Sequence, residues 1–155
     1  MVKIDVADQA FSKYIRTRDN WTCQRCNKQY EPPTNALHCS HFMGRGKENT
    51  RFEPDNADAL CYGCHRYFTA QPALHLAWQV ERKGQERVDS LVIQSNKYKR
   101  KDRKAEVLIW RQAIKDTETG IKPVYKSVTE GGYIEEVVVP ISVKVGKNIQ
   151  PNNFS

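Results

Sequence analysis

The sequence has no long apolar run. Its 155 residues are 39% hydrophobic and 28% charged, and no segment approaches the roughly 18 apolar residues that a membrane-spanning helix requires. Residues 1–8 are too polar for the apolar part of a secretory signal. We therefore expect a cytoplasmic protein with no membrane partner. The low apolar content also predicts a thin core that needs additional stabilisation.

Cysteine is scarce, but four of the five cysteines form two close pairs, Cys23 with Cys26 and Cys61 with Cys64. Thiols stay reduced in the cytoplasm, so this spacing is typical of metal ligands rather than disulfides. Four thiolates suit a tetrahedral structural Zn2+ ion. The two pairs are separated by 34 residues, which predicts that the intervening segment has a structure of its own. The alternative is that the pairs are merely buried, as we expect for the remaining Cys39.

The segment between the cysteine pairs predicts a small ββα unit. Residues 36–43 have the composition of a strand, and Glu-Pro-Asp-Asn at residues 53–56 is a turn signal, because proline fixes φ and Asp or Asn caps the next element. A strand or turn then leads into a short helix, expected from Asp58 onward, that carries the second cysteine pair and His65.

Helices are predicted on both sides of this unit, which gives an α+β fold. Each shows apolar residues at helical spacing. The residues expected to face inward are Phe11, Tyr14 and Ile15 in residues 5–19, Leu74 and Trp78 in residues 72–83, Val88, Leu91 and Val92 in the next helix, and Val107, Leu108, Trp110 and Ile114 in the last.

The C-terminal residues differ in character from the rest. β-Branched residues and the pair Gly131-Gly132 predict a β-hairpin over about residues 123–145, with Pro140 at an edge or a bulge. Such a hairpin is more often a packing element or a dimer arm than a catalytic part. The expected divisions are a zinc-stapled domain with a helical extension over residues 1–116, the hairpin appendage over residues 117–147 and a disordered tail over residues 148–155.

Basic residues outnumber acidic ones by 25 to 18, for a net charge of +7. This balance favours a polyanionic partner, with nucleic acid as the first candidate. Residues 97–104 contain six basic residues in eight. Such a run either lies along a DNA backbone or forms a solvated helix face.

Three of the four histidines lie in the segment from His38 to His65. Hydrolysis of a phosphodiester needs a base to activate water and a cation to stabilise the developing charge. His41 on the predicted strand and His65 on the predicted helix would be fixed across a groove if zinc joined the two elements. The alternative is that a histidine beside a cysteine pair is a zinc neighbour or a substitute ligand. His75 lies outside this segment and is expected to be structural.

These motifs resemble a known enzyme family. Cys-x2-Cys, His-x2-His-Phe, Pro-Asp-Asn-Ala and Cys-x2-Cys-His are similar to the HNH, or ββα-metal, endonucleases. The two Cys-x2-Cys pairs, Arg51-Phe52 with Asn56, and residues 84–91 resemble most the phage NinG/Rap recombination nucleases. The likeness covers about residues 10–115, and endonuclease VII-like junction resolvases are a neighbouring group. The resemblance implies that His41 is the general base, that Asn56 holds the loop and orients this base, and that His65 ligates a catalytic Mg2+ or Mn2+ ion.

Ser40 departs from the common HNH pattern. The position before the general base is usually Asp or His and ligates the catalytic metal, whereas serine is a poor ligand. Either His38 takes over this role, or His65, water and a DNA phosphate hold the ion.

The resemblance implies a metal-dependent DNA endonuclease of a bacterial host's cytoplasm, selective for branched recombination intermediates such as D-loops or Holliday junctions. Two nicks are needed to cut a junction, so a homodimer is expected. The alternatives are a zinc-dependent DNA-binding module without catalysis, which Ser40 favours, and a zinc-stabilised protein-interaction module, which leaves the basic run unexplained. The expected DNA contacts are Arg45, Lys47, Arg51, Lys99, Arg100, Lys101, Arg103 and Lys104.

Overall fold

The computed structural model describes residues 2–128 and 134–138, with side chains for residues 2–123. The helices are α1 (Val6–Arg18), α2 (Tyr62–Ala70), α3 (Pro72–Lys83), α4 (Gln85–Ser95) and α5 (Arg103–Glu118). The strands are β1 (Leu37–His41), β2 (Ala57–Cys61), β3 (Val124–Val128) and β4 (Ile134–Val138). Among these described residues, no helix is long and apolar enough to cross a membrane.

Helix α1 forms as its sequence pattern predicts. Asp5 caps it, because the Asp5 carboxylate accepts from the Asp8 backbone N–H at 3.0 Å and the Asp8 carboxylate accepts from the Asp5 N–H at 2.8 Å. Its apolar face packs against α5, where the Phe11 and Trp110 rings lie 4.9 Å apart between centroids, edge to face. This α1–α5 core contains one of the two clusters of buried apolar side chains.

Strands β1 and β2 are antiparallel, with His38 opposite Leu60 and Ser40 opposite Asp58. Helix α2 follows β2 directly, so the predicted ββα order is present. The prediction that the helix begins near Asp58 is wrong, because residues 57–61 are a strand. Tertiary hydrogen bonds explain the difference: the segment pairs with β1 along one edge, and on the other the Ala59 N–H donates to the Asp19 carboxylate and the Ala59 carbonyl accepts from the Gln24 N–H, both at 2.8 Å.

The second buried cluster, the cysteine core, lies around β2, α2 and α3 and includes Trp78. Leu74 is 44% exposed and Val92 is 37% exposed, so the prediction that both face inward is wrong. Helix α3 instead turns toward Asp58, a buried carboxylate that accepts from Gln79 at 2.8 Å and pairs with Arg82 at 2.6 Å. The need to satisfy this charge decides which face of α3 is buried.

Helix α5 begins at Arg103, inside the predicted basic run, and ends at Glu118, two residues past the predicted domain boundary at residue 116. Leu108, one of its predicted inward residues, is 69% exposed. After it, β3 and β4 pair antiparallel. The predicted Gly131-Gly132 turn, Pro140 and the tail at residues 148–155 lie outside the described residues.

Candidate metal centre and histidine cluster

The four paired cysteines converge on one point. The Sγ atoms of Cys23, Cys26, Cys61 and Cys64 all lie within 4.8 Å of one another, and those of Cys26 and Cys61 are 3.9 Å apart. Tetrahedral ligands at the usual Zn–S distance would be about 3.8 Å apart. The group could therefore hold a metal ion such as zinc. Among the described residues, it is the only group of three or more Cys, His, Asp or Glu side chains with this geometry.

The first pair lies in a tight knuckle. The Cys23 N–H donates to the Lys28 carbonyl and the Asn27 N–H to the Cys23 carbonyl, both at 2.9 Å. Asn27 takes φ 63°, a left-handed conformation that asparagine tolerates. The Arg25 guanidinium lies 3.9 Å from the centre of the Tyr67 ring on α2. The knuckle is thus joined to α2 by protein contacts as well as by the shared sulfur cluster.

The second pair lies where β2 meets α2. Cys61 is the N-cap of α2, and its Sγ accepts from the Cys64 N–H at 3.5 Å. Without a cation, the nearby Cys64 thiol and then burial raise the pKa of Cys23 to about 12. A divalent ion reverses this effect, because thiolate is the form that binds it. A set of four sulfur donors is a chemical fit for zinc rather than magnesium.

His41 lies at the end of β1 with its ring fixed on both sides. Its Nε2 is 2.9 Å from the Arg51 carbonyl oxygen; a carbonyl can only accept, so Nε2 carries the proton and Nδ1 has a free lone pair. The ring centroid is 5.7 Å from that of Phe11. Burial, followed by the charge of Arg45, lowers the pKa of His41 to about 4. The ring is therefore neutral and in a single tautomer near pH 7.

Asn56 holds the loop that follows His41. It is fully buried, and its side chain accepts from the Met43 N–H at 2.7 Å and donates to the carbonyls of Met43 at 2.8 Å and Thr50 at 3.0 Å. Both ends of the loop between His41 and Arg51 are thereby fixed. The loop-holding part of the predicted role of Asn56 matches this geometry.

His38, not His41, is the partner of His65. The Nδ1 atoms of His38 and His65 are 3.0 Å apart, whereas His41 faces α1 on the opposite side of the strand. If one ion bound both nitrogens at about 2.1 Å, the N–ion–N angle would be about 90°, which is the angle between adjacent ligands of an octahedral ion. Ser40, on the His38 face, is 3% exposed. The two rings line a cavity of about 370 Å³ together with Tyr62, Arg66, Thr69 and Ala70.

Arg45 is the charge common to both histidine positions. It lowers the pKa of His41 after burial does, and it lowers the pKa of His65 after burial and His38 do. Its Nε atom is buried and has no hydrogen-bond partner among the described residues. A buried guanidinium nitrogen without a protein partner is uncommon, and guanidinium groups are well suited to bind phosphate.

The loop that carries Lys47 lies beside the start of the basic run. The Asn49 side chain donates to the Gln94 carbonyl at 2.9 Å, and the Gln94 side chain donates to the Asn49 carbonyl at 3.0 Å. Lys47 Nζ is 3.5 Å from the Asn96 side-chain oxygen. Exposed Lys47 therefore lies next to the end of α4, where residues 97–104 begin.

Several predicted DNA contacts are directed inward instead. Arg51 is 6% exposed and pairs with Asp8, and Lys101 is 4% exposed. Arg103 pairs with Asp5 at 2.8 Å and with Glu48. These positions argue against phosphate contacts by Arg51, Lys101 and Arg103. The two arginines are already paired with carboxylates, and Lys101 is buried. The remaining predicted contacts are exposed Lys47, Arg100 and Lys104 and half-buried Arg45 and Lys99.

Two features of the site lie outside the sequence prediction. The Arg51 carbonyl gives no sequence signal, because every residue has one. The ion pairs of Arg51 and Arg103 give no signal either: Asp5 and Asp8 match the capping-box pattern at the start of α1, but this pattern does not identify partners that lie 43 and 98 residues away.

Fold and site together define a small α+β protein in which a four-cysteine cluster, able to hold a metal such as zinc, joins a two-stranded sheet to a histidine-bearing helix. The family described as "Bacteriophage Lambda NinG protein" matches residues 3–120. The chain belongs to this phage recombination-associated family. No curated protein and no solved structure matches it.

Proposed function

We propose that this protein is a metal-dependent DNA endonuclease of the HNH type. The observation that carries the proposal is His41, a neutral ring whose Nε2–H is fixed on the Arg51 carbonyl at 2.9 Å and whose Nδ1 is free to accept a proton. A general base needs this combination of orientation and an unprotonated nitrogen. Membership of the NinG family supports a role in phage recombination.

In the proposed reaction, His41 Nδ1 accepts a proton from a water molecule as that water attacks the phosphorus, and the 3′-oxygen leaves. Asn56 keeps the loop in place while His41 acts. His38 and His65 would hold a divalent cation, which would stabilise the charge on the leaving oxygen. Imidazole nitrogens are poor ligands for Mg2+, so Mn2+ is tested first of the two expected ions.

Arg45 is the residue that we assign to the scissile phosphate. Its unpartnered Nε and its electrostatic effect on both His41 and His65 support this assignment. Lys47, Arg100 and Lys104 are exposed and would contact phosphates farther along the DNA.

The structural cation would be zinc, held by the four cysteines. The Sγ–Sγ distance of 3.9 Å between Cys26 and Cys61 and the all-sulfur donor set support this choice. The zinc would join the Cys23–Cys26 knuckle to the junction of β2 and α2, and so fix the start of the helix that carries His65.

Selectivity for branched DNA rests on the recombination-associated family alone. A homodimer would supply two active sites for the two strands of a junction.

The second candidate function is a zinc-dependent DNA-binding module without catalysis. The buried Ser40 favours it, because no acidic ligand stands at this position beside the two histidines. Such a module would bind DNA equally with or without Mn2+ and leave it intact.

Cleavage of end-labelled four-way junction, D-loop and linear duplex separates these functions. The reactions contain Mg2+, Mn2+ or EDTA, with His41→Ala as a parallel protein. Metal-dependent cutting of branched DNA that His41→Ala loses would support the full proposal. Equal cutting of all three substrates would support the nuclease activity but contradict the selectivity for branched DNA. Binding without cutting in any ion would favour the binding module.

A further inference from the structure

The carbonyl that orients His41 belongs to a residue whose side chain is fixed inside the protein. Arg51 Nε donates to the Asp8 carboxylate at 2.9 Å, and Arg51 Nη2 donates to the Lys3 carbonyl at 2.8 Å. The Arg51 side chain is 7% exposed and that of Asp8 is 1% exposed. Arg51 Nη2 also donates to the second Asp8 carboxylate oxygen, at 2.5 Å. A guanidinium that contacts a carboxylate through two of its nitrogens is fixed in direction as well as in distance.

The Arg51–Asp8 pair is part of a larger cluster of charges. Asp8 is anchored by the first turn of α1, and Arg51 Nη1 also lies 3.5 Å from the Glu48 carboxylate. Arg103, at the start of α5, holds Glu48 and Asp5. Burial raises the pKa of Asp8, but hydrogen bonds from Arg51 and the Asp5 backbone outweigh burial and leave it below its ordinary value. Asp8 is therefore a carboxylate near pH 7, and the cluster is charged and rigid.

We propose that Arg51 is a positioning residue for His41 and not a DNA contact. Its side chain, fixed by Asp8, sets the place of its own carbonyl, and that carbonyl sets the tautomer and orientation of the His41 ring. The consequence for catalysis rests on the proposed nuclease function. The effect of Arg51 on the tautomer and orientation of the His41 ring does not depend on that function, and it can be measured without a cleavage reaction.

The first pair of variants separates positioning from DNA contact. Arg51→Lys keeps the positive charge that a phosphate would meet but loses the planar fork that Asp8 binds. Asp8→Asn keeps the shape of the side chain and removes its charge, and a carboxylate has no favourable contact with DNA to lose. A positioning role predicts the same effect from both variants, whereas a DNA contact predicts an effect from Arg51 variants alone.

Arg82→Lys is the matched control. Arg82 also pairs with a buried carboxylate, Asp58, at 2.6 Å, and its side chain is 15% exposed. It holds α3 against β2, and the carbonyl that His41 contacts belongs to Arg51 instead. Arg82→Lys should lower the urea midpoint of unfolding about as much as Asp8→Asn and Arg51→Lys do, while leaving the tautomer of His41 unchanged.

The first readout is the tautomer of His41, measured by 15N NMR of histidine-labelled full-length protein with zinc. We expect wild type and Arg82→Lys to show a protonated Nε2 and an unprotonated Nδ1, and Asp8→Asn and Arg51→Lys to show a mixture of tautomers. Wild-type His41 signals in Asp8→Asn would overturn the proposal. Asp8→Asn is the decisive variant because it keeps the packing volume if Arg51→Lys fails to fold.

The second readout is the cleavage reaction. Misplacement of the base should lower kcat by about 10- to 100-fold in both variants, with KM and DNA affinity unchanged. Weaker DNA binding by Arg51→Lys with normal kcat, and normal behaviour of Asp8→Asn, would overturn the positioning role. If wild type cuts no DNA in any ion, the nuclease proposal fails, while the NMR result still decides whether Arg51 orients His41.

Discussion

His41 and the His38–His65 pair lie on opposite faces of β1 and are built in different ways. His41 packs against Phe11 in the α1–α5 core, and a backbone carbonyl sets its tautomer. His38 and His65 line an open cavity beside the cysteine core, and their Nδ1 atoms face each other at 3.0 Å. Only one proton can lie between two nitrogens at this distance.

The difference indicates what each half of the molecule needs. The α1–α5 core is held by apolar packing and buried ion pairs, so His41 is placed by the protein alone. Around the cysteine core, four sulfur atoms converge in a group that could hold a metal such as zinc, and beside it two imidazoles face each other. His41 is therefore positioned without a ligand, whereas the four-cysteine cluster could hold a metal such as zinc.

The largest expected effect comes from Cys61→Ser. We expect loss of zinc and of the cooperative fold, because zinc contributes on the order of 10 kcal/mol in small metal domains. Zinc content and hydrogen exchange measure this, and any remaining amide protection should lie in α1 and α5. Cys39→Ala is the control, since Cys39 is buried outside the cluster. A folded, zinc-free Cys61→Ser protein would contradict the dependence of the cysteine core on metal.

The next effect is that of His41→Ala on cleavage. Loss of a general base should lower the rate by about 10²- to 10⁴-fold. Zinc content, DNA affinity and Mn2+ affinity should stay at wild-type values, because His41 holds no ion. Single-turnover cleavage of a labelled junction gives the rate, and unfolding of the variant would show that His41 is structural instead.

A smaller effect is expected for His65→Ala, on metal affinity rather than on the base. Removing one of two imidazole ligands should weaken Mn2+ binding by at least about 10-fold. Free Mn2+ can be followed by electron paramagnetic resonance during a titration of the zinc-loaded protein. His41→Ala is the comparison. Equal Mn2+ affinity in both variants would show that the His38–His65 pair does not bind the ion.

The smallest effect concerns pH and a histidine outside both sites. Burial lowers the pKa of His75 to about 4 despite the charge of Asp58, whereas an unfolded histidine has a pKa of about 6.5. Unfolding therefore takes up a proton below about pH 6.5, and stability falls as the pH falls from there towards 4. Between about pH 7 and pH 5.5, wild type should lose about 1 kcal/mol more than His75→Gln.

Urea midpoints at the two pH values measure this loss. The effect of acid on zinc binding is common to both proteins and cancels in the difference. Equal pH dependence of the two proteins would show that His75 is more accessible to water than its contacts indicate. The ring lies against Phe68, with centroids 4.6 Å apart, so a normal pKa would also imply that this stack opens.

Local sequence signals were sufficient for some parts of the structure. The helices over residues 5–19 and 72–83 and the two Cys-x2-Cys pairs are predicted from the spacing of nearby residues, and the structure confirms both helices and the clustering of the cysteines. The NinG resemblance, also carried by short motifs, is confirmed by the family match. The nuclease chemistry drawn from the HNH resemblance stays a prediction.

The sequence by itself determined the helices outside the ββα unit, the four-cysteine group and the family, because apolar spacing and short motifs are properties of residues near one another in the sequence. Only the tertiary structure decided that Arg51 faces Asp8 rather than solvent, that His65 meets His38 rather than His41, and that residues 57–61 form a strand. Each of these depends on a buried charge or backbone group finding a partner far along the chain, as Arg51 does with Asp8 at 2.9 Å. Such partners are chosen by the free-energy cost of burying a polar group alone, which no local pattern records.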